Sequence, residues 1–475
     1  MIQIRQYQQI LISELRAEMR KGHTKLILQL PTGGGKTIIF SFMVKEAAAK
    51  GLKCMILTHR MELLEQAGGT FDLIGISYQN ITSETNAIPN GNVLVAMIET
   101  IKRRVKTRLD FTMLLKTIDL LIIDECHRAE FNAIFQYLKS ECYVIGFTAT
   151  PVSSNSKHPL SDYYTSIVSG PTINNLIQSG NLSEPIYYGV KIDLSSIRLK
   201  AGEFDENDMT KLYGERKIFS GLKENLENHA KNKKTLIFCP SVASSIQVAK
   251  ELNCLHVDGF MRQKDLRLFK YNLEKFSKES NIILTNCGIL TTGYDEPTIE
   301  HGVLYRATTS LTLFMQMIGR LSRITETKKT FSIDDFGMNI QRFGFWHTDR
   351  IWLLNPVKKR NKREGTFPVK FCPQCGAVIS VNVKKCEYCG YEWQVTEKER
   401  IFAELGKLTY SDIQKRMNEA KSIEEMEQIR ISKGYKTGFL LHKFTKLEQF
   451  IEYGKLRNYH YKWAKINAER YGISL

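Results

Sequence analysis

From its start to about residue 170 the chain alternates between short unbroken apolar runs and longer stretches with apolar residues at helical spacing. The runs are 25–30, 54–58, 92–97, 119–124 and 143–148. Runs apolar at every position, not every second one, mark strands buried on both faces, and the helices between them supply the covers. Together they predict a parallel sheet. Residues 171–230 break the rhythm. One strand-like run, 185–192, and a charged segment, 200–211, read there as a linker or insertion with local helix. A second alternation, with runs 235–239, 255–257, 282–285, 303–305 and 330–333, predicts a second domain over 231–355. From about residue 396 the pattern is helical only. Ile413, Met417 and Ala420 share one face, and Ile423, Met426 and Ile429 share another.

In open parallel sheets ligands gather at the carboxyl ends of the strands, and the chemistry-bearing residues fall there. The first run leads into Leu30-Pro31-Thr32-Gly33-Gly34-Gly35-Lys36-Thr37. A buried strand, a glycine turn and a helix make a phosphate loop, in which the backbone curls so that N–H groups face phosphate oxygens. Lys36 then reaches the β- and γ-phosphates of ATP, and the Thr37 hydroxyl completes the shell of a Mg²⁺ ion. Leu30 stands where the strict pattern has its first glycine. The fourth run ends in Asp124-Glu125, the pair that metal-assisted phosphoanhydride hydrolysis requires: Asp124 to hold Mg²⁺ through water, Glu125 to orient or deprotonate the attacking water. The fifth ends in Thr148-Ala149-Thr150, whose hydroxyls are placed to couple the phosphate site to a second one. The second alternation has no phosphate loop, but Arg320 and Arg323 lie on one helix face. Docked on the first domain, that face supplies fixed positive charge to a departing γ-phosphate.

Length and charge narrow the class. A chain of 475 residues has room for roughly three domains. A 43% hydrophobic, 25% charged composition is that of a globular protein, and a net charge of +17 points to a polyanionic partner. Nucleic acid fits best, because neither a lipid anchor nor a long basic amphipathic helix suggests a membrane; a merely solvated basic surface is the plain alternative. With no leader pattern and no run near the ~18 apolar residues of a membrane span, a cytoplasmic protein is expected. Six of the ten cysteines are scattered through apolar stretches and read as reduced core residues. The other four, Cys372, Cys375, Cys386 and Cys389, form two C-x-x-C pairs, each followed by glycine, and predict a tetrahedral Zn²⁺ site. Four protein ligands leave no open position, so the expected role is structural. In the tail, Tyr453, Lys455, Arg457, Tyr459, Tyr461, Lys462, Trp463 and Lys465 interleave rings with positive charge. They are either a base-stacking surface or the core of a small helical domain.

Gly-Gly-Gly-Lys-Thr, then Asp-Glu-Cys-His, then Thr-Ala-Thr, resemble motifs I, II and III of a superfamily 2 helicase of the DExH kind. The resemblance extends to Arg5-Gln6-Tyr7-Gln8, similar to the motif that reads adenine, and implies adenine contacts from Arg5 and Gln8. It implies phosphate-loop contacts from Thr32, Gly33, Gly34 and Gly35, and a catalytic place for His127. Thr58 and Arg60 fall in the segment resembling motif Ia and Thr100 in that resembling motif Ib, which implies contacts to the nucleic-acid backbone. Thr291-Thr292-Gly293-Tyr294-Asp295 and Gln316-Met317-Ile318-Gly319-Arg320-Leu321-Ser322-Arg323 resemble motifs V and VI. They imply Gly293 and Asp295 at the nucleotide, Gln316, Arg320 and Arg323 at its phosphates, and Thr285 and Thr291 near nucleic acid.

Motor, four-cysteine ribbon and a Gly-Tyr-Lys-x-Gly-Phe tail, in that order, resemble the bacterial RadD family of DNA-repair helicases and their phage relatives. The implied architecture is α/β: two tandem RecA-like parallel-sheet domains (1–170 and 231–355, joined by 171–230), a basic linker and zinc ribbon (356–395) and a helical C-terminal segment (396–475). The expected activity is ATP-dependent movement on DNA in repair, recombination or replication, by a monomer with a repair or replication protein as partner. A DExH-type RNA helicase, a nucleotide-gated binding module and a translocating restriction subunit are the alternatives. Asp335-Phe336-Gly337 spells a kinase signature without its companions and reads as chance.

Overall fold

The computed structural model describes residues 4–354, 369–393 and 420–473, isolated positions and residues 433–436 within those ranges excepted. By compactness it divides into two units, Met1–Val381 and Asn382–Leu475. Among the described residues no helix is long and apolar enough to cross a membrane.

The first sheet has seven strands: β1 (Lys25–Gln29), β2 (Cys54–Thr58), β3 (Gln79–Ile81), β4 (Val93–Met97), β5 (Leu120–Asp124), β6 (Tyr143–Thr148) and β7 (Ser166–Ser169). Their order is β3-β4-β2-β5-β6-β1-β7, with every pairing parallel. Successive side chains of a strand point to opposite faces. Leu26, Leu28, Ile56, Val95 and Ile122 accordingly pack under one helical layer, and Ile27, Met55, Leu57, Leu94 and Ile123 under the other. Each such side chain contributes roughly 1.5–3 kcal/mol by leaving water. β1 sits inside the sheet beside β6, which brings the glycine loop next to the carboxyl ends of β5 and β6. The edge strands β3 and β7 were not anticipated, because Gln79, Asn80, Ser166 and Ser169 break any apolar run.

The second sheet takes β8 (Glu184–Gly189), then, after a small hairpin of β9 (Leu199–Lys200) and β10 (Glu203–Phe204), β11 (Thr235–Phe238), β12 (Leu255–Val257), β13 (Ile283–Asn286), β14 (His301–Leu304) and β15 (Thr330–Asp335). Its order is β12-β13-β11-β14-β15-β8, again all parallel. Residues 171–230, expected as a linker, belong to this domain. β8 pairs with β15 over six residues, Ile173 and Leu176 enter the core on one face, and Met209, Tyr213, Leu222 and Leu226 enter it on the other. An edge strand read before its partner, with Pro185, Gly189 and two tyrosines in it, carries little of the continuous apolar signal of an interior strand. Asp335 of the kinase-like triplet closes β15, accepting from the Gly337 and Ile340 N–H groups and the Asn339 amide, a structural turn.

Beyond the sheet, β16 (Val369–Phe371) and β17 (Val378–Ser380) pair antiparallel and lie along the free side of β8. Tyr188 bridges Ala377, and the Gly189 N–H donates to the Gly376 carbonyl at 3.4 Å. A Cβ on Gly189 would stand 2.2 Å from the Phe371 ring, so the approach requires glycine.

In the second unit the helices Ile423–Ser432, Thr437–Leu441, Leu447–Leu456 and Tyr461–Arg470 surround Ile423, Ile429, Leu440, Phe444, Phe450, Tyr453 and Ala464. Tyr453 is fully buried, its hydroxyl donating to Glu427 at 3.2 Å, and Trp463 packs on it. For these two rings the core reading prevails over the stacking surface; Tyr461 stays exposed. Ile413, Met417, the basic stretch 358–363 and residues 434–436 lie outside the described residues.

Candidate active site

The turn after β1 curls through two left-handed glycines, Gly33 at φ +85° and Gly35 at φ +81°, and Gly35 caps the helix Lys36–Ala49. Lys36 Nζ donates to the Leu30 carbonyl at 3.3 Å. Leu30 is buried, with its side chain packed against Gly34, which is how the loop accommodates a residue other than glycine there. The helix Gln6–Arg20 braces the loop. Both the Tyr7 hydroxyl (2.7 Å) and Gln8 Nε2 (3.3 Å) donate to the Gly34 carbonyl, and Gln8 Oε1 accepts from the Arg5 N–H at 2.9 Å. A Cβ on Gly35 would meet Gln8 Nε2 at 2.4 Å. Arg5 and Gln8 thus stand at the loop, and Tyr7 joins them unforeseen, because one tyrosine in an amphipathic helix carries no distinguishing signal.

Asp124 ends β5, and Glu125 follows in a left-handed conformation, φ 55°. That conformation is strained for a residue with a Cβ, and such strain collects at functional sites. Both carboxylates are buried. Burial, then the charge of Glu125, pushes Asp124 up. Burial acts on Glu125 too, but the charges of Lys36, His127 and Arg320 outweigh it and hold that carboxylate low. The two buried carboxylates thus oppose each other's charge, and a divalent cation between them would relieve that repulsion.

A chain of contacts leaves this pair. Glu125 Oε2 stands 3.3 Å from His127 Nδ1 but has no aligned hydrogen-bond donor. His127 Nδ1 lies 2.9 Å from Thr148 Oγ1. Because the Thr148 hydroxyl donates to the Thr150 carbonyl (3.2 Å), the imidazole is the donor in that contact. The Thr150 hydroxyl then donates to Thr312 Oγ1 at 3.0 Å, crossing from the first sheet's domain to the second. Thr148 and Thr150 were expected to couple sites; Thr312, a hydroxyl in the first turn of the helix Leu311–Leu321, was not foreseen.

That helix carries Gln316, Gly319 and Arg320, all buried among their neighbours. A Cβ on Gly319 would stand 2.6 Å from the Thr32 Cβ, so the phosphate loop and this helix touch where only glycine fits. Arg320 donates to the carbonyls of Thr291 (3.1 Å) and Tyr294 (2.8 Å). Burial, then Arg323, draws its guanidinium down to about 10, so it stays charged at neutral pH, and its charge reaches Asp124 and Glu125. Arg323 pairs with Asp295, and Gly293 turns the intervening loop at φ 78°.

The expected nucleic-acid contacts fare unevenly. Thr285 is a correction: it is fully buried in β13, and its hydroxyl bonds with Ser245 and the Leu255 carbonyl, tying strand to helix. The Thr291 hydroxyl donates to the Gly288 carbonyl at 3.0 Å. Thr58 and Thr100 are buried near the carboxyl ends of β2 and β4, and Arg60 lies outside the described residues.

The four ribbon cysteines form two matching knuckles. Gly376 N–H donates to the Cys372 carbonyl and Gly390 N–H to the Cys386 carbonyl, each at 2.9 Å, with both glycines left-handed. All four sulfur atoms lie within 4.8 Å of one another, a separation that suits one tetrahedral Zn²⁺.

Three family models match this sequence: Type III restriction enzyme, res subunit, over 1–153; Helicase conserved C-terminal domain, over 217–325; and an uncharacterised family, UPF0547, over 370–395. A 51.5 kDa protein of a Lactococcus phage is 26% identical over 94% of this chain and 100% of its own. The Saccharomyces cerevisiae protein named as an ATP-dependent helicase, IRC3, is 30% identical over 70% of this chain and 51% of its own. The chain is a superfamily 2 helicase. The helicase also shares its fold with the ATP-dependent Type ISP restriction-modification enzyme LlaBIII bound to DNA, with a TM-score of 0.52 at 16% identity over 70% of this chain and 27% of that one. Its two domains are those of an ATP-dependent helicase and imply ATP and Mg²⁺. The unpartnered Glu125 oxygen and the mutual repulsion of the two buried carboxylates fit that requirement.

Proposed function

We propose that this helicase is a DNA-stimulated ATPase that moves along DNA in repair, recombination or replication, as the RadD-like order of motor, ribbon and tail suggests. The observation that carries the reading is the interdomain contact at Gly319, where the phosphate loop meets the arginine-bearing helix with no room for a side chain. Lys36 and the loop N–H groups hold the β- and γ-phosphates, with Arg5 and Gln8 at the base. Mg²⁺, held through Thr37 and Asp124, withdraws charge from the phosphates when bound. Glu125 orients the attacking water, and Arg320 and Arg323 neutralise charge on the departing γ-phosphate, a contribution of about 10³–10⁵ in rate. His127, Thr148, Thr150 and Thr312 carry the change at Glu125 into the second domain, so that hydrolysis reopens the cleft and shifts one nucleic-acid contact surface past the other. Zn²⁺ in the four-cysteine ribbon is structural.

The preference for DNA draws on the restriction-enzyme model over 1–153 and on the net charge of +17. Steady-state ATP hydrolysis measured alone and with single-stranded DNA, duplex DNA or RNA tests it. Activation by DNA and little by RNA is expected; activation by RNA alone would overturn the choice.

A further inference from the structure

The helix Leu311–Leu321 ends at the residue after Arg320, and the last carbonyls of any helix lack internal partners. The Leu321 carbonyl finds one in Lys328, whose ammonium donates to it at 2.6 Å. The same ammonium donates to the Pro297 carbonyl at 2.9 Å. Pro297 lies two residues beyond Asp295, on the segment whose carbonyls at Thr291 and Tyr294 hold the Arg320 guanidinium. Lys328 is buried, with its charge over the Phe331 ring at 5.8 Å. A buried ammonium is costly unless its hydrogens are satisfied, and here two of the three serve the two segments that deliver Arg320, Arg323 and Asp295. Ser183 reinforces the same corner: its hydroxyl donates to the Arg323 carbonyl at 3.0 Å, and its N–H to the Ser322 carbonyl at 2.8 Å.

We propose that Lys328 is a positioning residue for ATP hydrolysis, locking the end of the arginine-bearing helix to the loop that carries Asp295. The inference rests on the assignment of Arg320 to the γ-phosphate. The two carbonyl bonds of Arg320 use Nε and Nη1 and tie helix to loop, leaving other guanidinium N–H groups for a phosphate. Lys328 makes a second tie between the same helix and loop, independent of the guanidinium. It holds the guanidinium within reach of one geometry, and a displacement of about 1 Å in such a group costs up to about a hundredfold in rate. A cation at a helix C-terminus also opposes the negative end of the helix dipole, which makes the contact directional.

The test compares Lys328→Met, Lys328→Arg and Arg320→Ala by steady-state ATP hydrolysis with saturating nucleic acid, well below each variant's melting midpoint. Lys328→Met is expected to lower kcat about tenfold while KM for ATP stays within about twofold. Lys328→Arg, which keeps a cationic donor, should recover most of the loss. If Lys328→Met keeps kcat while Arg320→Ala loses it, the Lys328 assignment falls alone. If both Lys328 variants lose kcat and gain KM together, Lys328 is merely structural and the assignment is likewise overturned. An unchanged kcat in Arg320→Ala would remove the reading of Arg320 and this inference with it.

Discussion

Replacing Thr312 by Val removes one hydroxyl and leaves the side chain's shape. That hydroxyl accepts from Thr150 at 3.0 Å, in a bond that spans the two domains. A neutral hydrogen bond of this kind contributes about 1 kcal/mol net, which is about fivefold in an equilibrium constant. Thr312→Val should therefore reduce the population of the closed cleft about fivefold, and with it kcat/KM for ATP under nucleic-acid stimulation. Thr150→Val should do the same. The double variant should lose no more than either single one, because the bond is broken once, giving a coupling energy of about 1 kcal/mol. The assay is ATP hydrolysis by wild type, both single variants and the double variant at saturating nucleic acid. Multiplying losses, with the double variant about twenty-five-fold down, would show that the hydroxyls act independently and refute the relay's last step.

Gly319→Ala should cost about tenfold in kcat through overpacking against Thr32; wild-type turnover in that variant would mean the loop and helix part during the cycle. Metal analysis of the purified protein should find about one zinc per chain, and Cys372→Ser should lower that content; a full complement without Cys372 would sink the ribbon assignment. Burial brings the Lys328 ammonium down to about 7 from 10.5, with Glu300 and Glu296 opposing the fall and Arg323 adding to it. The unfolded chain therefore binds that proton more readily, so stability should rise between about pH 7 and pH 10, by a few kcal/mol at most. Denaturant unfolding of wild type and Lys328→Met at pH 7 and 9.5 checks this, and parallel changes in the two would refute it.

Interior strands were legible because burial on both faces writes itself as an unbroken apolar run; β2 and β6 begin and end at the expected residues. The edge strands β3 and β7 were not, since half-solvated strands need no such run; β8 showed as the run 185–192, but its place beside β15 did not, because that partner lies far along the chain. In the candidate site, residues with a distinctive type and spacing, such as Lys36, Asp124 and Arg320, were legible, and so were the four cysteines. Thr285, Thr312 and Lys328 show the limit. A threonine or lysine looks the same in sequence whether its polar atoms face solvent, a partner domain or a backbone carbonyl, and only the packing around β13 and the helix ending at Leu321 decides. The rings of the tail were ambiguous for the same reason, until Tyr453 proved to be core.

β8 closes one side of the second sheet, and the ribbon strands lie against its free side at Tyr188 and Gly189. A bare outer strand offers unpaired N–H and C=O groups on which a strand from another molecule can form. The ribbon strands thus cover part of that edge at Tyr188 and Gly189. Were those strands to come away, that edge would be open to pairing with another copy of the chain while the nucleotide cleft, built on other strands, stays intact.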